Sequence, residues 1–141
     1  MRTLHEPILL VAGLMTLASC STEPASIQAP PLGADFTLAP GELATIGATG
    51  LAVTFVRVVS ESRCPVNPQI QCVWEGTAQL QLRVSGLGAT RDVPIETLST
   101  ANTAVVDGYV IRLRDLTPGP RVEAPTPPER YRATLRVDRA N

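Results

Sequence analysis

From Ala34 onward, apolar side chains recur at every second position in short runs, the period of strands with one face buried. Phe36-Thr37-Leu38 begins the series, and Ala39-Pro40-Gly41-Glu42 turns it. Leu43 to Ile46 is a second short extended piece, ended by Gly47-Ala48-Thr49-Gly50. Leu51, Val53 and Phe55 then alternate with Ala52, Thr54 and Val56 in a run that continues to Val58 and Val59. Leu80, Leu82 and Val84 alternate with Gln79, Gln81, Arg83 and Ser85 ahead of a Gly86-Leu87-Gly88 turn. Arg91 to Glu96 is a further strand, and Pro94, which has no N–H for a ladder, places it at a sheet edge. Ala104-Val105-Val106, Asp107-Gly108 and Tyr109 to Leu113 form a hairpin signature with Arg112 and Arg114 facing outward. Thr117 to Pro128 is a proline-rich irregular connection, after which Tyr131, Ala133, Leu135 and Val137 alternate with polar residues in a final strand. No helical stripe interrupts this rhythm. The pattern predicts an all-β domain, a small antiparallel β-sandwich or barrel of roughly seven or eight strands.

The N-terminus follows another rule. Met1-Arg2 is a weakly basic start, Ile8 to Leu17 is an apolar run of signal-peptide length, and Leu17-Ala18-Ser19-Cys20 places small residues directly before a cysteine. These four residues match the lipobox, and here the chain resembles a bacterial lipoprotein precursor. The resemblance implies cleavage before Cys20 and lipid attachment to its thiol. Several acyl chains on one residue anchor firmly, since each buried methylene contributes about 0.8 kcal/mol and a single chain is marginal. Ser21 rather than aspartate follows Cys20, which in enterobacterial-type sorting resembles an outer-membrane lipoprotein. The expected organisation is a signal peptide over residues 1–19, a lipidated tether over 20–33 and a β-sandwich domain over 34–141. The tether reading rests on Pro24, Pro30 and Pro31 in a polar stretch without apolar period.

Composition narrows the chemistry. The formal net charge is −1, so no basic excess is available for nucleic acid. All basic residues are arginine, which removes Schiff-base, general-base and P-loop lysines. His5, the only histidine, lies in the segment expected to be cleaved, so the mature chain lacks the commonest general base and transition-metal ligand. Neither a cofactor nor a metal site is indicated. Arg112, Arg114, Arg132 and Arg136 read as solvated strand faces, with an anionic-ligand face as the alternative.

The remaining feature is the stretch from Glu61 to Gly76, which joins two strands and holds Cys64, Cys72 and the only tryptophan, Trp74. With Cys20 lipidated, Cys64 and Cys72 are the pair left in a compartment where disulfides persist. A zinc site needs further ligands, and redox pairs are usually spaced Cys-x-x-Cys, so a structural disulfide is expected. Ser62-Arg63-Cys64-Pro65 followed by Cys72-Val73-Trp74-Glu75-Gly76 resembles uncharacterised secreted and lipid-anchored bacterial proteins that carry Asp-Ser-Arg-Cys-Pro, a short loop and Cys-x-Trp-x-Gly. Glu61 stands where that pattern has aspartate. The resemblance implies a small β-rich secreted domain and no catalysis.

Glu61, Arg63, Trp74 and Glu75 form the candidate binding patch. Both acids are placed to pair with Arg63, and Arg63 to lie over the Trp74 indole. The simpler expectation is that Trp74 packs on the disulfide and caps one end of the core; the alternative is a rigid recognition patch, since tryptophan and arginine dominate interface hot spots. The function expected is a membrane-anchored, non-catalytic binding or accessory lipoprotein of the bacterial cell envelope, with an envelope protein as partner. The alternative is a small β-fold protease inhibitor acting through Pro65 to Gln71 or Thr117 to Pro128. An enzyme is not expected.

Overall fold

The structure, a computed structural model, describes residues 28–141. The expected signal peptide, Cys20 and the first part of the expected tether lie outside the described residues. Eight strands follow in order: β1 (Asp35–Leu38), β2 (Leu43–Thr45), β3 (Ala52–Glu61), β4 (Ala78–Ser85), β5 (Arg91–Glu96), β6 (Thr103–Val106), β7 (Tyr109–Thr117) and β8 (Arg132–Arg139). They form two four-stranded antiparallel sheets, β2-β3-β4-β5 and β1-β8-β7-β6. A single 3₁₀ turn, Pro128–Arg130, precedes β8. The described residues form the expected all-β antiparallel fold, and of the two arrangements expected, sandwich or barrel, they take the two-sheet one.

Alternation explains the core. Leu80, Leu82 and Val84 of β4 are buried and face Ile111, Leu113, Ala133, Leu135 and Val137 of the other sheet in one apolar cluster. No charged side chain is buried among the described residues, and the polar group of the buried Tyr131 is its hydroxyl, which is hydrogen-bonded. Asp107 and Gly108 have φ of 50° and 82°, the left-handed pair that a tight β6–β7 hairpin turn requires. Pro94 lies in β5, at a sheet edge as expected.

Two details depart from simple alternation. Register shifts in β3 between Phe55 and Arg57, and between Val58 and Ser60, each insert a residue against β4. The bulges turn Val58 toward the core and leave Val59 51 % exposed. In addition, residues 28–33, expected to belong to the tether, are bound to the domain. The Thr45 N–H donates to the Gln28 carbonyl at 2.8 Å, Gly47 N–H to Pro30 at 2.9 Å, and Gly33 N–H to the Val137 carbonyl at 2.8 Å. Leu32 packs on the core, so this stretch has an apolar anchor that its prolines conceal.

Candidate functional site

The β3–β4 hairpin does not stop where its strands do. Ser62 N–H donates to the Thr77 carbonyl at 2.8 Å and Cys64 N–H to the Glu75 carbonyl at 3.0 Å, carrying the ladder outward past both sheets. The Cys64–Cys72 disulfide then closes the tip, with Cα atoms 5.9 Å apart. Beyond the bridge, Asn67 makes a local turn: its Oδ1 accepts from Gln69 N–H at 2.9 Å and its carbonyl from Ile70 N–H at 3.0 Å. Val66 N–H donates to the Pro120 carbonyl at 3.2 Å, which ties the tip to the proline-rich connection.

Arg63 fastens the base of this tip. Its guanidinium meets Glu61 side-on, with Nε to Oε1 at 2.9 Å and Nη2 to Oε2 at 2.5 Å. The remaining donors reach across to the other sheet: Nη1 to the Leu116 carbonyl at 2.6 Å and Nη2 to the Pro118 carbonyl at 3.0 Å. Glu61 also accepts from the backbone N–H of Arg63 at 3.1 Å and from the Tyr131 hydroxyl at 3.3 Å. The two charged side chains are 17 % and 19 % exposed, shielded enough for charge-assisted bonds to hold in water. One planar fork thus joins the end of β3 to the end of β7, a task suited to arginine and not to lysine.

Burial alone would raise the Glu61 carboxyl, but the hydrogen bonds and charge of Arg63, with help from Tyr131, outweigh it and hold the group below its ordinary value. Burial, reinforced by the Glu61 charge, pushes the Tyr131 hydroxyl up, so it remains a donor at neutral pH. The depressed Glu61 value has a consequence for stability. The contribution is complete above the unfolded value, about 4.3, and is lost as pH falls through the folded one. Denaturant midpoints measured from about pH 5 down to 3 are expected to fall less steeply in Glu61→Gln than in the wild type. Asp92, also lowered by its hydrogen bond to Arg83, titrates in both proteins and cancels from the comparison.

The structure therefore separates the candidate patch into two parts. Glu61 and Arg63 form a latch at the base, and Tyr131, absent from the sequence-based set, completes it. Glu75 is exposed and makes no ion pair with Arg63 among the described residues. Trp74 is 82 % exposed, so it neither caps the core nor packs against the bridge. The expected Arg63–indole stack is likewise absent among the described residues; the cation–aromatic pair present is Arg139 over Tyr109, at 5.8 Å. The reason is competition: the Arg63 guanidinium is committed to a carboxylate and two carbonyls. Val66 and Val73 are 81 % and 91 % exposed, each within two residues of a bridge cysteine. A clamped hairpin thus holds three large apolar side chains in water.

Two concavities flank the latch. One of about 350 Å³ is lined by Arg63, Glu75, Asn102, Arg114 and Leu116 among others. The second, about 510 Å³, runs between Val58–Glu61 and the Pro120–Pro128 connection, with Tyr131 beside it. In the second, Glu61 is engaged by Arg63 and Tyr131; the first has the carboxylates of Glu75 and Asp115 in its wall. The outward arginines are partly neutralised as well, Arg136 by Asp138 at 3.1 Å and Arg114 by Asp35 at 3.8 Å. Among the described residues no cluster of His, Cys, Asp and Glu forms a cation site.

The fold and site define a two-sheet β-domain with a latched, disulfide-closed apolar tip. Comparison with known protein families, with characterised proteins and with solved structures finds no match.

Proposed function

We propose that this chain is a membrane-anchored, non-catalytic binding or accessory lipoprotein of the bacterial cell envelope, with the Cys64–Cys72 tip as its contact surface. The observation that carries this reading is Trp74, 82 % exposed on a hairpin that is latched at its base. A tryptophan held in water gains by burying its ring against another surface. Because the bridge, the turn at Asn67 and the Arg63 latch order the tip in advance, docking loses little conformational freedom. The lipobox-like Leu17-Ala18-Ser19-Cys20 supports the anchor.

Site-specific photo-crosslinking in intact cells tests it. A crosslinker at position 74 is expected to trap a definite envelope component, lipid or protein, whereas one at Val105, 70 % exposed on β6, is not. Equal or absent trapping at the two positions contradicts a contact role for the tip. A trapped protease would transfer the reading to the inhibitor alternative. Trp74→Ala itself is expected to change stability by no more than about 0.5 kcal/mol, as for other exposed positions.

A further inference from the structure

We propose that Val66, Val73 and Trp74 dock on the lipid bilayer itself, sinking into its headgroup region beside the anchor. The inference rests on the lipid-anchored reading above and adds the identity of the surface the tip contacts.

Direction comes from the fold. Gln28 bridges Ala44 in parallel, and Ala44 pairs with Val53 in the antiparallel β2–β3 ladder. At Gln28 the backbone therefore points back toward the end where β3 finishes, the end that carries the disulfide tip. Length agrees with direction. Eight residues separate Cys20 from Gln28 (28 − 20), a span of at most about 26–29 Å when extended. Val53, level with Gln28, lies eight residues before Glu61 (61 − 53), about 26 Å of strand before the bulges shorten it. Acyl chains on Cys20 can thus reach the level of Glu61, and the tip projects beyond that level.

Chemistry agrees with both. Tryptophan favours the membrane–water interface, where its ring is buried and its N–H stays wet. Flanking valines add apolar area, and interfacial elements sink only about 5–10 Å. Exposed Glu75 beside Trp74 keeps the tip at headgroup depth, and the three docking side chains carry no charge, so the contact they make is apolar.

The test uses the lipidated chain reconstituted in phosphatidylcholine vesicles whose acyl chains are brominated near the headgroup. Flotation with the vesicles reads the anchor; quenching of Trp74, the only tryptophan, reads the tip. Co-flotation with a blue-shifted, bromine-quenched Trp74 is expected, unchanged by salt, and loss of that quenching in Val66→Asp with Val73→Asp while flotation persists. Co-flotation with an unquenched Trp74 overturns lipid docking and leaves the anchor standing. A chain that shifts its emission only when envelope proteins are added assigns the tip to a protein and equally overturns it. Failure to float removes the anchor and the proposal with it.

Discussion

Arg63→Ala is expected to destabilise the domain by about 2 kcal/mol, between the cost of breaking a surface ion pair and that of breaking a fully buried one, because this pair is partly buried. The substitution removes more than one attraction. Glu61, 19 % exposed, loses the fork that holds its carboxylate, and the Leu116 and Pro118 carbonyls lose their charged donors. For a domain of this size the loss corresponds to roughly 6–10 °C in melting temperature. Arg63→Lys is expected to recover only part of it, because an ammonium cannot serve a carboxylate edge and two carbonyls in one plane. Pairing Arg63→Ala with Glu61→Gln should recover some stability by removing the stranded charge. Urea denaturation of the four proteins checks this. A cost under about 0.5 kcal/mol, the value of an ordinary surface ion pair, contradicts the latch.

Gly76→Ala is expected to cost more, roughly 3 kcal/mol, from strain and overpacking together. Gly76 has φ of 69°, a left-handed conformation that side chains other than glycine adopt reluctantly. A Cβ there would also fall on the Ser62 carbonyl oxygen and against the Ser62 carbonyl carbon, both backbone atoms that cannot swing aside. Relief requires the two arms of the hairpin to part, which breaks the Cys64–Glu75 backbone bond first. The measurement is again the denaturation midpoint, with amide exchange at Ser62 and Cys64 as the local readout. Faster exchange at these amides is expected even where the core strands remain protected; unchanged exchange and stability contradict the close approach.

The parts of this molecule that were legible in its sequence are those governed by a local rule. Tyr131, Ala133, Leu135 and Val137 announce β8 because one face of the strand is buried, and burial imposes a two-residue period. Asp107-Gly108 announces its turn because few residue pairs tolerate positive φ. Past Phe55 the rule fails: two bulges exchange Val58 for Val59 on the inner face, and apolar valines on both sides of the strand disguise the slip. The docking of residues 28–33 is not legible in the sequence because its prolines suggest a tether, while it is held by backbone hydrogen bonds, which any residue can make, and by one apolar side chain, Leu32. The Arg63 latch depends on carbonyls 53 and 55 residues away, so no neighbouring residue encodes it. Its one local trace is Glu61 two positions earlier, on the same side of the strand. Trp74 shows the opposite limit: hydrophobicity alone favoured burial, and only the geometry of an extended, closed hairpin shows that no core lies within reach.

The claim on which the functional reading turns is that Trp74 stands in water on an ordered tip. The most direct measurement is the fluorescence of this single tryptophan in the lipid-free protein, with acrylamide quenching and anisotropy recorded before and after reduction. The account predicts red-shifted emission and ready quenching throughout, with anisotropy falling once the Cys64–Cys72 bridge is opened. A blue-shifted Trp74 that acrylamide reaches poorly would place the ring in a packed environment and contradict the exposed tip.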